Sequence, residues 1–335
     1  MTEMQITVKK AGLLTTLQDL GRTGWRHSGI PVSGAMDPFA LRTANLLVGN
    51  KEGEAALEIT MVGPTLEMEE DLLIAICGAD LQPRINGQPV GSWRPIYVKK
   101  GAVLSFSGSV QGCRAYLAVG GGFSVQPVLG SKSTFIRAGI GGFFGRALKK
   151  GDRLKIGTMS EAAVRRLTEL AQRAGSKAYA EGEWYVGSKL VPPYRVNPIV
   201  RVTRGGQFSW FSESGREKFF TGEFQVSAQS DRMGYRLTGP EISLLHPREL
   251  LSEAVTVGTV QVPANGQPII LMADCQTTGG YPKIAEVITA DLPVLAQMRP
   301  GEKVRFQEVS VDEAQRLLRE QERKLSLLQK SLALV

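Results

Sequence analysis

Apolar residues fall along this chain in short runs, many alternating or β-branched, separated by glycine, proline and Asn-Gly turns. A period of two closed off by turn formers is the pattern of a β-strand. It predicts strands at Met4–Val8, Leu72–Cys77, Pro95–Val98, Val103–Ser107, Arg114–Val119 and Arg153–Ile156 in the first half. In the second half it predicts Ile199–Thr203, Phe224–Ala228, Thr259–Val262, Pro268–Met272 and Lys303–Gln307. A helical period stands out in three places. Residues 37–48 open with Asp37-Pro38, an N-cap and a proline at the first helical position, and end at Gly49. Residues 161–174 follow Ser160 and stop at Gly175. The C-terminal segment opens with the capping box Ser310-x-x-Glu313 and carries Leu317, Leu318, Leu325, Leu328 and Leu332 on a helical repeat. That stripe predicts a helix docked on the body of the protein, or else one offered to a partner chain. Many strands and few helices favour barrels or sandwiches over a doubly wound α/β fold.

A length of 335 residues predicts about two domains, at roughly 150 residues each. The proline-rich Val191-Pro-Pro-Tyr-Arg-Val-Asn-Pro198 and the helix before it mark the boundary. The expected order is a β-domain at 1–158, a helix and linker at 159–198, a second β-domain at 199–309, and a terminal helix at 310–335. Faint echoes between the halves suggest duplication. Val32-Ser-Gly-Ala-Met-Asp37 resembles Val226-Ser-Ala-Gln-Ser-Asp231, and Asn86-Gly-Gln-Pro89 recurs as Asn265-Gly-Gln-Pro268.

Composition narrows the classes. Hydrophobic and charged fractions of 42% and 21% are those of a soluble globular protein. Lys and Arg exceed Asp and Glu by 40 − 32 = 8. The basic residues are scattered and not interleaved with aromatics, so no nucleic-acid partner is expected, while an anionic substrate or an acidic partner stays open. Cys77, Cys113 and Cys275 are far apart, and His27 and His246 complete a poor set of metal ligands. Buried thiols are expected, with no disulfide framework and no metal. Met1–Val8 shows no signal pattern, and no run approaches the ~18 apolar residues of a membrane span. The expectation is a cytoplasmic protein.

Polar density then picks out three blocks. Asp274 to Lys283 packs a carboxylate, an amide, two hydroxyls, two glycines, a tyrosine and a lysine into a stretch that follows a predicted strand. Gly279-Gly280 would let the backbone take positive φ and approach a ligand closely. The stretch is either a wide polar turn or a wall of a binding site. Cys275 within it is a candidate nucleophile that lacks a histidine partner in sequence. Gln229-Ser-Asp-Arg-Met-Gly-Tyr-Arg236 is the second block, with Arg236 offering a fork for a carboxylate or phosphate, or else a surface ion pair at a strand end. The third runs from Thr15 to Asp37 and offers Asp19, Arg22 and His27 as a binding rim. Asp37 has a structural explanation as an N-cap. The glycine-dense 119–123 and 138–143 are anion cradles or barrel corners, and no GxxxxGK[ST] phosphate loop exists.

Four of these stretches together carry a family resemblance: Ala11–Arg22, Val32–Asp37, Gln229–Arg236 and Gln276–Lys283. The chain resembles the family of the C subunit of bacterial 5-oxoprolinase over roughly residues 4–308. That family is also called the Kip antagonist, allophanate hydrolase subunit 2 or biotin-dependent carboxyltransferase-like family. The resemblance implies a mainly β fold of two cyclophilin-like β-barrels with a few helices. It implies a subunit, inactive alone, of an ATP-dependent 5-oxoprolinase that opens 5-oxo-L-proline to L-glutamate. Subunit-B-like (kinase-inhibitor-like) and subunit-A-like partners are implied, with ATP and Mg2+ acting at the level of the complex. Two further readings go with the family: a regulator that relieves inhibition of a sensor kinase by binding the subunit-B-like partner, and biotin-dependent carboxyl transfer to a small amide. On this basis Asp231, Asp274 and Lys283 are the expected catalytic groups. Ser230, Arg232, Arg236, Gln276, Thr277, Thr278, Gly279, Gly280 and Tyr281 are the expected substrate-binding groups. Asp19, Arg22, Ser33 and Asp37 are secondary candidates.

Overall fold

A computed structural model describes residues 4–332. The chain divides into two compact units, and the division does not follow sequence order. The first takes residues through Arg22, Ser33–Val191 and those from Leu325 on; the second takes Thr23–Val32 and Pro192–Lys324.

In the first unit two six-stranded sheets enclose one core. One sheet runs Arg153–Lys155, Gln5–Lys10, Thr65–Met68, Val103–Ser105, Arg84–Ile85, Gln88–Pro89. The other runs Tyr179–Glu181, Pro95–Val98, Leu72–Asp80, Gln111–Val119, Ala56–Thr60, Leu14–Gln18. Ile6, Val8, Leu66 and Leu104 from the first meet Leu57, Ile74, Ile96 and Leu117 from the second. The second sheet is also covered on its other face, where Leu73, Ala75, Tyr116 and Ala118 pack under three helices. Burial on both faces explains why Leu72–Cys77 reads as a continuous apolar run instead of alternating.

The covering helices are α1 (Pro38–Leu47), α2 (Glu161–Ala174) and the last turns of α5 (Val311–Leu332). The Asp37 carboxylate accepts from the Ala40 amide at 3.0 Å, and Ser160 caps α2 in the same way at 3.2 Å. Ala163, Leu170 and Ala174 of α2 are buried in this unit, and Tyr179–Glu181 pairs with Pro95–Val98. The expected linker at 159–198 is therefore part of the first unit as far as Val191. Leu325, Leu328 and Leu332 lie in the same core, so the terminal stripe docks on the body of the protein.

The second unit is a closed barrel. Its ring order is Ile199–Arg204, Lys283–Val287, Thr259–Gln261, Ile269–Leu271, Gly234–Thr238, Phe224–Val226, Lys303–Glu308. Closure pairs Ile199–Arg204 in parallel with Lys303–Glu308 and leaves no free edge. α3 (Glu213–Thr221) and the short α4 (Leu292–Ala296) belong to this unit. Phe219 of α3 stacks on Phe306 at 4.5 Å between centroids.

The echoes between the halves dissolve in three dimensions. Asn86 and Gly87 both take positive φ in a tight hairpin, whereas only Gly266 does so in the Asn265-Gly266 turn. Asp37 caps a helix, and Asp231 accepts from the Met233 amide inside a turn. Among the described residues no helix is long and apolar enough to cross a membrane.

Candidate functional site

Two of the polar blocks, Gln229–Arg236 and Asp274–Lys283, meet in the second unit through a buried ion pair. Asp274 follows the strand Ile269–Leu271 and Arg232 precedes Gly234–Thr238, and these strands are hydrogen-bonded neighbours. Arg232 Nε reaches Asp274 Oδ2 at 2.9 Å and a second guanidinium nitrogen reaches Oδ1 at 3.1 Å. The Asp274 amide also donates to the Arg232 carbonyl at 2.8 Å. Both residues are almost fully buried. A bidentate fork of this kind neutralises both charges and fixes their geometry, so Asp274 holds the wall together.

The rest of the Gln229–Arg236 block is a turn. Asp231 Oδ1 accepts from the Met233 and Gly234 amides at 2.7 and 3.2 Å. The Ser230 hydroxyl accepts from the Arg236 amide at 3.1 Å and donates to the Arg236 carbonyl at 3.4 Å. Asp231, one of the expected catalytic groups, therefore bonds within the turn, by the local side-chain bonding typical of Asp and Ser. Arg236 is exposed between buried Tyr235 and Leu237, on the opposite face of the strand from both.

The motif continues as a short strand, Thr278–Gly279, paired with Glu253–Ala254. Gly279 and Gly280 do not take positive φ, contrary to the expectation for this pair. Close approach explains Gly279 instead: a Cβ there would sit 2.5 Å from Gln261 Nε2. Gln276 and Thr277 are half-buried and Thr278 is exposed. Tyr281, 49% exposed, lines with Gly280, Pro282, Leu250 and Arg248 a cleft of about 670 Å³. Cys275 packs with Val255 and Leu271. Burial pushes its thiol up to about 11, while the nearby Arg26 pulls the other way and Asp274 adds to the rise. A thiol protonated at neutral pH is no nucleophile.

Lys283 gathers a different set of groups. Its Nζ binds Glu253 Oε2 at 2.7 Å, and Gln207 donates to the same oxygen at 3.2 Å. The Lys283 bond, first, and the Gln207 bond hold the Glu253 carboxyl below the usual range. On the same strand Glu286 is largely buried, and desolvation raises its pKa against the opposing pull of the Thr259 hydroxyl and the Lys283 charge. The second unit therefore holds one carboxylate biased to stay ionised and one biased toward its protonated form, with an ammonium acting on both. Groups pushed apart in this way suit acid–base work. Sequence reading missed Glu253, Glu286 and Gln207. Glu286 carries a weak signal as a lone glutamate inside the apolar strand Lys283–Val287, whereas Glu253, in the short strand Glu253–Ala254, and Gln207, in the turn before Phe208–Trp210, are distant in sequence.

The four secondary candidates are all buried in the first unit. Asp19 is a hub: it accepts from the Gly21 amide at 2.7 Å, the Ser131 hydroxyl at 2.7 Å, the Lys132 amide at 2.6 Å and the Ser133 hydroxyl. Arg22, fully buried, donates to the Ser133 carbonyl. The Asp37 amide donates to the Tyr116 hydroxyl at 2.8 Å, which donates to Glu58 Oε2 at 2.7 Å. Glu58 Oε2 also accepts from the Met36 amide at 2.9 Å. Burial, then the charges of Glu58 and Asp37, push the Tyr116 hydroxyl well above its ordinary pKa. Ser33 sits at φ +56° with its hydroxyl buried and without a hydrogen-bond partner. His27 lies in a short 3-10 turn of the second unit, exposed.

The mainly β fold, the closed barrel and these buried polar loops are those of a carboxyltransferase-type domain. The chain belongs to the family described as carboxyltransferase domain, subdomain A and B, whose model matches residues 28–308. It is 41% identical to the C subunit of 5-oxoprolinase from Escherichia coli K12, over 95% of this chain and 96% of that protein. It is 31% identical to urea amidolyase of Saccharomyces cerevisiae over 96% of this chain, which spans 17% of that protein. Among solved structures, K. lactis urea amidolyase superposes with a TM-score of 0.86 at 31% identity, over 97% of this chain and 20% of that one.

Proposed function

We propose that this chain is a subunit of an ATP-dependent 5-oxoprolinase and works with subunit-B-like and subunit-A-like proteins to open 5-oxo-L-proline to L-glutamate. The near full-length identity, in both directions, with a protein named as the C subunit of 5-oxoprolinase carries this reading. A lactam is a poor electrophile because its nitrogen lone pair is delocalised into the carbonyl, and ATP supplies the activation by phosphorylating the amide oxygen. Among the described residues no three His, Cys, Asp or Glu side chains gather where they could hold a metal ion. No step on Mg–ATP is assigned to this chain's residues.

The share of this chain is recognition and proton handling in the second unit. Lys283 offsets anionic charge on the substrate, exchanging its contact with Glu253 for the ligand. Glu286 holds the proton needed by the departing ring nitrogen. Arg232 and Asp274 fix the wall on which Gln276, Thr277, Thr278 and Tyr281 are carried.

Biotin-dependent carboxyl transfer is the second reading, favoured by the family description and by the superposition on K. lactis urea amidolyase. It requires a biotinylated carrier, and biotin would then be found with the purified protein or its partners. One reconstitution separates the readings. With both partner subunits, 5-oxoproline-dependent ATP hydrolysis is measured with the chain, without it, and with Lys283→Ala. Loss on omission is expected, together with at least a tenfold fall in kcat/KM for Lys283→Ala. Full activity without the chain defeats the subunit reading and leaves a purely regulatory role, whereas full activity in Lys283→Ala defeats only the site.

A further inference from the structure

The ion pair between Lys283 and Glu253 is unevenly built. The Lys283 side chain is 13% exposed and that of Glu253 is 44% exposed. Lys283 opens a barrel strand and pairs there with Gln261. Gln207 holds the same peptide from the neighbouring turn. The Gln207 amide donates to the Lys283 carbonyl at 3.2 Å, and Gln207 Oε1 accepts from the Lys283 amide at 3.2 Å. This turn approaches so closely that a Cβ on Gly205 would lie 2.4 Å from the Lys283 carbonyl oxygen. The ammonium is therefore carried on a fixed backbone. Glu253 has a weaker mooring. It stands in a two-residue strand, paired with Thr278–Gly279 in a small sheet of its own outside the barrel ring. The residues before it, 245–252, form no helix or strand, and Leu251 among them is 90% exposed.

Both donors to Glu253 end on one oxygen. Lys283 Nζ lies 2.7 Å from Oε2, and Gln207 Nε2 lies 3.2 Å from it. A carboxylate that gives up the ammonium can keep the amide, so it loses one bond of two. The ammonium has three protons to donate. One goes to Glu253, and the Ala254 carbonyl stands at a long 3.5 Å. A part-exposed pair of this kind contributes little to stability, because water competes for both charges. A ligand carboxylate reaching Lys283 from solvent can therefore take the place of Glu253.

We infer that Glu253 is a resident competitor for the Lys283 ammonium, kept in reach by Gln207, and that it makes the site selective for amides that also bear a carboxylate. Such a ligand brings its own anion and exchanges one ion pair for another. A neutral amide such as urea brings no charge to exchange and leaves the Lys283–Glu253 pair intact. 5-Oxo-L-proline carries the carboxylate and the lactam together. The inference rests on the 5-oxoprolinase reading for its substrate and adds what the substrate must displace. No covalent bond forms or breaks in the exchange.

The test uses Glu253→Gln and Glu253→Ala in the full chain with both partner subunits. Both remove the competing charge and keep Lys283 and Gln207, and the first also keeps the side chain's size. In each variant kcat/KM for 5-oxo-L-proline should rise about threefold, through a lower KM, as expected for loss of a part-exposed pair. A purely structural contact predicts no change or a fall. A rise of less than about twofold in either variant overturns the inference. So does an equal tightening, as a competitive inhibitor, of 2-pyrrolidinone, the same ring without the carboxylate. Should the wild-type complex not hydrolyse ATP in response to 5-oxo-L-proline, the enzymatic reading fails by itself. Calorimetric titration of the same complexes with 5-oxo-L-proline then decides: binding tighter by at least about twofold in both variants sustains the competitor, and equal, weaker or undetectable binding overturns it.

Discussion

Asp274, an expected catalytic group, and Arg232, an expected substrate-binding group, are joined to each other in the fold. Their bidentate pair is buried on both sides. Removing one partner of such a pair strands the other charge and costs about 3–5 kcal/mol, whereas replacing both with apolar side chains of similar volume is often nearly neutral. Asp274→Ala should therefore lower the free energy of urea unfolding by about that amount, and Arg232→Met/Asp274→Leu should recover most of it. A double variant as unstable as the single one would show that the pair is not the source. Cys275 gives a second residue-level expectation. Its thiol rises from 9.0 to about 11 on folding. Folding thus favours the protonated form, and the sign is fixed: the stabilisation is complete below pH about 9 and fades as pH climbs toward 11, by about 3 kcal/mol at most. The stability difference between wild type and Cys275→Ala should shrink by about 2–3 kcal/mol between pH 8.5 and 11. A difference flat across that window would contradict the burial of the thiol.

At the scale of elements, apolar pattern was a good guide where burial is one-sided or complete. Leu72–Asp80, Pro95–Val98, Ile199–Arg204 and Lys303–Glu308 all appear near their expected positions. The strands Leu14–Gln18 and Lys283–Val287 were read as chemistry instead, because Thr15, Thr16, Gln18 and Lys283 are polar. They are strands because neighbouring strands, distant in sequence, satisfy their backbones, which no local pattern reveals. α3 escaped notice for a similar reason: only Gly215 and Phe219 of it are buried, too few to mark a face. The capping signals, which depend on residues three apart, were legible at α1, α2 and α5, where the Glu313 amide donates to Ser310 at 3.1 Å. The terminal helix can be tested directly. Leu325 is 2% exposed in the first unit's core, so Leu325→Ala should cost about 2–5 kcal/mol. Leu327, 51% exposed on the other face, should change stability by less than about 0.5 kcal/mol when replaced by alanine. Equal losses in thermal melts would argue against docking.

For the whole molecule, the sequence by itself determined the mainly β class, the three capped helices and the blocks that identify the family, because periodicity, caps and long motifs are local properties of the chain. Only the tertiary structure decided how the chain is partitioned. It assigned Thr23–Val32 to the second unit and α2 to the first, since membership follows from which core buries a segment and not from where the segment stands in sequence. It decided equally which polar residues are occupied and which are open. Asp231 bonds within a turn and Asp274 within an ion pair, while Glu253 is brought to Lys283 from a position with no marked motif and Glu286 is buried beside it on the same strand. Ser33 emerges as strained and unpartnered only once its backbone angle and its neighbours are known. A side chain's charge state and its spare hydrogen-bonding capacity depend on burial and on partners remote in sequence, and folding alone supplies both.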